Sequence, residues 1–537
     1  MNLHGIFERF LSFCNMHNSC TPSVILQGLS VTPLPGEGLF KISVLPANNG
    51  SIGKGKELQL AFDCAKGVRL LAGSRRKKLK SPDILQQEWV VKADFCVENL
   101  GTVSIAVDNT TVVSVDAVCS RQIREAGQTN PDFILYMPDK PEHSGNENVT
   151  VLSLGNGRLV AFWLQSACEQ ATWSSCVSSR SEDGGKTWTA PRTVAEANAD
   201  PETGRNRINH TTAVMNTQGR IYLFLSRNSG DFAPHENGIP YVCFSDDGGI
   251  SFSQEYELKF PHANYDDPEI PTSWITFQPP VRLSNGKYAG GVTKYASRKD
   301  LLDRPQWTAE ESCCEMYLID NLDENPSPDK LQIRWTAFDH TALSFPHRSN
   351  PQWNVMQEPS VAELPDGRLF MVGRTNSGSP GFAVSTIGGE SWSNVRQLCF
   401  GDGQKAIPHP LAPCPIYRIG DGEFVLFIHN HDGNFGPWGI EDTTRHRRPL
   451  YALYGIFDPT GTQPIRFADP MFFADNNGRC LGVNPRADMA LYGSMTFIDG
   501  EYVLWYPDRK HFLCGKKIDV SALKKQDFCT LKAIFSY

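Results

Sequence analysis

Long apolar runs are missing from this sequence. No stretch approaches the roughly 18 consecutive apolar residues that a membrane-spanning helix needs, so we expect no membrane span. The partly apolar residues 6–14 are interrupted by Glu8 and Arg9, and no small-residue cleavage site follows them. The sequence therefore predicts a soluble protein without a convincing signal peptide, and it does not indicate a compartment.

An excess of positive charge is also missing. The 51 Lys and Arg residues are outnumbered by 59 Asp and Glu residues, which gives a formal net charge of −8. The longest basic cluster, residues 75–80, is short, and we expect it to form a solvated loop. Because no extended positive field is available to attract a polyanion, we expect no nucleic-acid partner.

The sequence has neither a disulfide framework nor a strong metal motif. Its 15 cysteines are an odd number and form no dense framework in a chain of 537 residues, so most should be buried free thiols, although Cys168 and Cys176 could pair in an oxidising compartment. His429, His431 and His446 have only a generic spacing for metal ligands. We therefore expect no metal and no other cofactor.

The composition is that of a folded chain rich in strands and turns. Hydrophobic residues make up 40% and charged residues 20%, which excludes a disordered chain. The 45 glycines and 36 prolines, together with 30 Phe, favour many strands joined by turns. The composition predicts an all-β protein.

A repeat of about 69 residues sets the architecture. A turn glycine followed by a charged residue and an apolar run occurs six times, and five of the six follow Asn or Asp, which suit two-residue hairpin turns. The six are Gly157, Gly219, Gly286, Gly367, Gly422 and Gly500. Each unit has room for four strands, so the sequence predicts a six-bladed β-propeller.

A second repeat follows three of these hairpins. Residues 181–188 and 245–252 fit Ser-x-Asp-x-Gly-x-Thr/Ser-aromatic, and residues 385–392 fit except that Ile387 replaces the Asp. The pattern resembles the Asp-box. Ser and Asp side chains can accept backbone N–H groups in such a turn, and the terminal aromatic can pack between sheets, so we expect a structural role.

The chain before the first blade has the pattern of a separate domain. Residues 89–97 and 103–107 alternate like half-buried strands, and the second run ends at the turn pair Asp108-Asn109. We expect an N-terminal segment at 1–22, a small β-sandwich-like domain at 23–122 and the propeller at 123–537.

A six-bladed propeller with Asp-boxes resembles the sialidase (neuraminidase) superfamily over about residues 130–537. In that family three arginines hold the substrate carboxylate, a tyrosine activated by a glutamate attacks the anomeric carbon, and an aspartate is the acid and base. The resemblance implies that Glu358 is the glutamate, Arg374 the second arginine and Tyr492 the nucleophile. The third arginine would be Arg447 or Arg448.

Two family residues are absent from their expected places. The first repeat should begin with an arginine, but residues 147–151 contain none, and neither do residues 134–138. The aspartate expected after the first hairpin is also missing, and Glu169 is the only acid between Phe162 and Ser179. Glu169 is therefore the candidate acid and base.

The residues leave three functions open. The first is an exo-glycosidase that removes a terminal acidic sugar, such as sialic acid, from a glycan or oligosaccharide. It would act by double displacement through Tyr492, assisted by Glu358. Arg374 and Arg448 would bind the carboxylate of the sugar. The second is a uronate-specific lyase or hydrolase in which His210 and Tyr492 move protons. The third is a glycan-binding propeller without catalysis, in which these side chains have only structural roles.

Overall fold

The computed structural model describes residues 24–33, 39–48, 58–79, 87–93, 99–118, 126–169, 171, 173–196, 207–227, 238–269, 273–276, 278–296, 311–482 and 484–528. The predicted segment 1–22 lies outside the described residues. The chain divides into two compact units, one of Met1–Arg121 with Asn477–Arg479 and one of Gln122–Asn476 with Cys480–Tyr537.

The N-terminal unit has two four-stranded antiparallel sheets around one apolar core, as the β-sandwich prediction requires. In spatial order the first sheet contains β1 (Val24–Pro33), β2 (Leu39–Asn48), β6 (Gln87–Ala93) and β4 (Val68–Ala72). The second contains β5 (Arg76–Leu79), β3 (Leu58–Cys64), β7 (Asn99–Val107) and β8 (Thr110–Val118). The basic cluster is thus an exposed strand, not a loop, because β5 pairs with β3.

The second unit is a propeller of six antiparallel sheets, which confirms the predicted all-β fold and blade number. Blade 1 has β10 (Gly145–Gly155), β11 (Arg158–Ser166), β12 (Ser175–Ser181) and β13 (Arg192–Ala195). Blade 2 has β14 (Ile208–Met215), β15 (Ile221–Arg227), β16 (Ile239–Ser245) and β17 (Tyr256–Glu257). Blade 3 has β18 (Ser273–Thr276), β19 (Val281–Arg282), β20 (Tyr288–Tyr295), β21 (Ser312–Ile319) and β22 (Ile333–Ala337).

The other three blades follow the same order along the chain. Blade 4 has β23 (Gln357–Glu363), β24 (Leu369–Arg374), β25 (Gly381–Val384) and β26 (Arg396–Gln397). Blade 5 has β27 (Ile416–Gly420), β28 (Glu423–Ile428), β29 (Leu450–Phe457), β30 (Ile465–Phe467) and β31 (Met471–Ala474). Blade 6 has β32 (Ser494–Ile498), β33 (Glu501–Asp508), β34 (Phe512–Lys517) and β9 (Phe133–Tyr136). Two four-residue α-helices, α1 (Thr443–His446) and α2 (Val520–Leu523), also lie in this unit.

The last blade is completed by a strand from the start of the propeller sequence. β9 pairs with β34, with Leu513 opposite Tyr136, so the chain closes the ring on itself. Closure leaves no open blade edge at the junction of the two ends. Residues 134–136 therefore belong to the outer strand of blade 6 and are not the start of the first blade, where the arginine was expected.

The Asp-box segments form compact turns stabilised by their own side chains. The Ser181 hydroxyl accepts the Gly185 N–H at 2.9 Å, and Asp183 accepts the Thr187 N–H at 2.9 Å. Where Ile387 replaces the Asp, the hydroxyl of Thr386 accepts the Ser391 N–H at 3.2 Å instead. These contacts hold the turns locally.

The core lies between neighbouring blades and contains free thiols. Cys176, between blades 1 and 2, and Cys243 belong to one apolar cluster. The sequence analysis considered a disulfide between Cys168 and Cys176, but both are free cysteines. Among the described residues, no helix has the length and apolar character needed to cross a membrane.

Candidate functional site

The predicted site residues lie on one face of the propeller. We call it the site face and define it as the face where the inner strands (β10, β14, β18, β23, β27 and β32) begin and the second strands (β11, β15, β20, β24, β28 and β33) end. Tyr492 lies two residues before β32, and Glu358 and His210 lie near the starts of β23 and β14. Arg374 ends β24, and Glu169 follows β11. The antiparallel order of each blade therefore brings together residues that are far apart in sequence.

β-Bulges at the starts of three inner strands change the direction of their side chains. The register shifts between Glu147 and Thr150, between Ile208 and His210, and between Gln357 and Ser360. Glu358 itself has a φ of +55°, which is unusual for a residue with a side chain. Bulges of this kind interrupt regular alternation and re-aim side chains at functional sites.

Tyr492, Glu358 and Arg374 form a buried hydrogen-bonded group. The Tyr492 hydroxyl donates to Oε1 of Glu358 at 2.9 Å and accepts from Nη1 of Arg374 at 3.1 Å. The same guanidinium nitrogen lies 3.0 Å from Glu358 Oε1, and Nε of Arg374 donates to Gln357 at 2.8 Å. Three residues that the sequence assigned to one site thus meet in one site.

The surroundings of Tyr492 keep its phenol neutral. Burial and the Glu358 carboxylate raise the pKa of Tyr492, while Arg374, Arg447 and Lys510 oppose the rise. The phenol proton is therefore present at neutral pH and is directed toward Glu358. Oε2 of Glu358 is buried and has no hydrogen-bond partner among the described residues. The pair can thus pass a proton from phenol to carboxylate.

Lys510 is a site residue that the sequence did not reveal. Its ammonium lies 4.6 Å from the centre of the Tyr492 ring and 2.5 Å from carboxylate oxygens of both Glu147 and Glu169. It therefore places a positive charge beside inner strand β10, whose residues 147–151 contain no arginine. The only sequence signal for Lys510 was its place in the basic pair Arg509-Lys510, which directly follows the second strand of the sixth hairpin.

Glu169 is ionised in this structure. Burial raises its pKa, but Arg486 and Lys510 outweigh burial and hold the pKa of Glu169 well below the usual value. Its side chain remains 36% exposed. As described, the carboxylate can accept a proton but has none to donate.

The two candidate arginines of blade 5 have different surroundings. Arg448 donates to both carboxylate oxygens of Asp475, at 2.7 and 2.5 Å. Arg447 is 2% exposed, donates from Nε to the carbonyl of Leu411 at 3.0 Å, and lowers the pKa of Tyr492. The charge of Arg447 thus acts on the tyrosine, whereas Arg448 is paired with a carboxylate.

His210 lies beside Tyr492 and is neutral. Their ring centres are 6.3 Å apart, and Nδ1 of His210 is buried without a partner among the described residues. Burial, Lys510 and Arg374 lower the pKa of His210 well below its ordinary value. A neutral imidazole at this position can accept a proton.

The histidines of blade 5 hydrogen-bond to the backbone. His429, His431 and His446 contact the carbonyls of Pro449, His446 and Ile440 at 2.8 to 3.1 Å. No group of three or more His, Cys, Asp or Glu side chains suited to a metal ion occurs in the described part of the chain.

Comparisons with known proteins agree with this fold. The sequence matches the family model of the BNR repeat-like domain, BNR_2, over residues 157–463, which is more than half of the chain. The NanB sialidase from Streptococcus pneumoniae is similar in structure, with a TM-score of 0.51 and 12% identity over 93% of this chain and 94% of that one. The leech intramolecular trans-sialidase has a TM-score of 0.52 and 12% identity over the same shares. No curated protein matches the sequence significantly.

Proposed function

Because the chain belongs to the BNR repeat-like domain family, we propose that it is a retaining exo-glycosidase that removes a terminal acidic sugar from a glycan. The observation that carries the proposal is the buried group of Tyr492, Glu358 and Arg374, in which the phenol donates to the carboxylate at 2.9 Å. A neutral tyrosine suits attack on an anionic sugar, since it avoids the repulsion that a carboxylate nucleophile would meet.

The substrate carboxylate binds among the cations that surround Tyr492. Arg374 and Arg447 are buried on neighbouring blades 4 and 5, and Lys510 is only 5% exposed. Guanidinium groups bind a carboxylate in a fixed geometry through charge-assisted hydrogen bonds. These three charges place the acidic sugar with its anomeric carbon facing the phenol oxygen.

The first half-reaction forms a glycosyl-tyrosine. The Tyr492 oxygen bonds to the anomeric carbon, its proton passes to Glu358, and the bond from that carbon to the leaving oxygen breaks. Glu169 gives the leaving oxygen a proton. Glu169 obtains this proton from solvent after the substrate carboxylate binds beside Lys510, because the new anion weakens the hold of Lys510 on Glu169 and raises its pKa.

The second half-reaction releases the sugar. Glu169, now a carboxylate, takes a proton from water as the water oxygen bonds to the anomeric carbon and the bond to Tyr492 breaks. Glu358 returns the proton to the phenol oxygen. Two displacements at one carbon retain its configuration.

A uronate lyase is the second candidate, and the neutral His210 favours it. An imidazole with an unpartnered buried Nδ1 beside a protonated phenol has the base and acid that elimination needs. In that reaction His210 removes the C5 proton, the 4-oxygen leaves with the Tyr492 proton, and a C4–C5 double bond forms.

Product analysis tests these proposals. The purified chain is incubated with sialosides, with uronate-terminated oligosaccharides, and with oligosaccharides whose uronate is linked to a further sugar through its 4-oxygen. The products are followed by mass spectrometry and ultraviolet absorbance. The glycosidase releases a saturated acidic sugar with retained configuration. An unsaturated, absorbing product would replace the glycosidase by the lyase, and binding without any turnover would reject both enzymes in favour of a glycan-binding propeller.

A further inference from the structure

Arg207 is a buried cation without a counter-ion in the part of the chain that the structure describes. It directly precedes inner strand β14 on the site face of blade 2, and only 6% of the residue is exposed. Its Nε is buried and has no hydrogen-bond partner among the described residues, and no ion pair joins Arg207 to a described carboxylate. By contrast, each of four other buried arginines of the site face lies against a carboxylate: Arg374 with Glu358, Arg448 with Asp475, Arg486 with Asp488 and Arg509 with Asp508.

An unpaired buried charge is costly, and proteins normally pair such charges. A second unpartnered donor lies on the neighbouring inner strand, where the side-chain amide of Asn148 is buried and has no acceptor among the described residues. Asn148 is held by its neighbour Val149, whose N–H donates to the carbonyl of Tyr492 at 2.9 Å. A guanidinium and an amide N–H, both without acceptors, are suited to binding an oxyanion.

The position of Arg207 separates it from the carboxylate clamp. In a six-bladed ring, blade 2 lies across the axis from blade 5, which carries Arg447, and Arg374 lies on blade 4. The ring of His210 contacts that of Tyr492. The charge of Arg207 helps to lower the pKa of His210, although burial, Lys510 and Arg374 contribute more. Arg207 is therefore close enough to act on the site but lies on the other side of it.

We propose that Arg207 forms a second anion subsite, which binds a carboxylate or sulfate group of the glycan other than the carboxylate held beside Tyr492. This inference rests on the proposed function for the identity of the ligand as a glycan. It makes the substrate an oligosaccharide with two anionic groups, one on the sugar that is removed and one that reaches blade 2.

Binding of inorganic sulfate, measured by isothermal titration calorimetry, tests the subsite directly. Arg207→Gln is expected to weaken one sulfate site at least about 10-fold, which equals about 1.4 kcal/mol. Arg158→Gln, which changes an exposed arginine of the first hairpin on the opposite face, should bind sulfate like the wild type. Equal sulfate binding by wild type and Arg207→Gln would overturn the proposal.

The melting temperature of the same variants excludes a purely structural role. Removal of an unpaired buried charge should leave the melting temperature of Arg207→Gln and Arg207→Met unchanged or raise it. A large fall in both variants would mean that the guanidinium stabilises the fold, and would also overturn the proposal.

Turnover separates this proposal from the proposed activity. If sulfate binding depends on Arg207 but the protein cleaves no acidic glycan, the anion subsite is supported and the proposed glycosidase activity is rejected. If the protein cleaves an acidic glycan but sulfate binding does not depend on Arg207, the glycosidase activity is supported and the anion subsite is rejected. If both hold, Arg207→Gln should lower kcat/KM for a dianionic oligosaccharide and leave it unchanged for a monoanionic aryl glycoside of the same sugar.

Discussion

The hydroxyl of Tyr492 lies 2.9 Å from Oε1 of Glu358, although the two residues are 134 positions apart in the sequence. Glu358 is the second residue of the inner strand of blade 4, and Tyr492 precedes the inner strand of blade 6. A propeller brings the starts of its inner strands together around one axis, and Arg374 joins the two groups with one guanidinium nitrogen. The proposed chemistry depends on this contact.

Removal of the Tyr492 hydroxyl should abolish turnover and leave the fold intact. Tyr492→Phe keeps the ring, so the free energy of unfolding should fall by about 1 kcal/mol, the usual net value of one hydrogen bond. Activity should fall by roughly 10²- to 10⁴-fold or more, as expected for a lost proton-transfer group. Substrate affinity, measured with a non-hydrolysed analogue, should change little because the cations remain. Full activity in the variant would remove Tyr492 from the mechanism.

Loss of Lys510 should move the pH–rate profile in a definite direction. Lys510 helps to hold the pKa of Glu169 below its usual value, so Lys510→Met should raise that pKa. The limb of kcat/KM that reports Glu169 is therefore expected at higher pH in the variant. Lys524→Met, which removes an exposed lysine paired with Glu423, is the matched control. Identical profiles for Lys510→Met and wild type would show that Glu169 is not the titrating group.

The protein should lose stability in mildly acidic solution because several histidines are buried in the neutral form. Burial lowers the pKa of His409 and His431 to about 3, and of His446 and His511 to about 4. Between pH 6.5 and about 4.5 these imidazoles bind protons in the unfolded chain but not in the folded one. The free energy of unfolding should therefore fall as pH falls, by up to about 1.4 kcal/mol per pH unit for each such histidine.

Denaturant unfolding at a series of pH values measures this slope. His511→Gln removes one of the buried groups and should make the slope shallower. His340→Gln changes a histidine whose side chain is 78% exposed and should leave the slope as it is. A free energy of unfolding that stays constant from pH 6.5 to 4.5 would contradict the neutral burial of these histidines.

Trp188, the aromatic of the first Asp-box, should contribute moderately to stability. The sequence pattern predicted an aromatic ring packed between sheets. The ring is half-buried and packs edge to face on Trp505, with the ring centres 5.5 Å apart. Trp188→Ala is therefore expected to cost about 2 kcal/mol, below the range of about 3–5 for a fully buried tryptophan. Trp188→Phe should recover most of this loss. Thermal melts that do not distinguish the alanine variant from wild type would show that the ring contributes no packing.

The repeat made much of the fold predictable. The six turn glycines marked one hairpin per blade, because Asn-Gly and Asp-Gly turns leave a local signal. The closing strand β9 was not predictable in the same way, since Ile134 and Tyr136 pair with β34, which lies more than 370 positions later in the chain. No local pattern reports a partner that far away.

The convergence of the candidate residues was predictable where the family pattern has a local signature. Glu358, Arg374 and Tyr492 each stand at a fixed place relative to a hairpin, whereas Lys510 acquires its role from Glu169, 341 positions earlier. The choice between Arg447 and Arg448 also depended on a distant residue, because Asp475 pairs with the second. Arg207 gave no signal, since the absence of a partner is visible only in three dimensions.

Capture of the covalent intermediate shows directly whether Tyr492 is the nucleophile. A 3-fluorinated glycosyl fluoride of the acidic sugar slows release of the sugar from the enzyme, and the reacted protein is digested and analysed by mass spectrometry. We expect one added sugar on the peptide that contains Tyr492, and none on Tyr492→Phe. A sugar attached to another residue, or a wild-type enzyme that turns over the natural substrate without any adduct from the fluoride, would contradict the account.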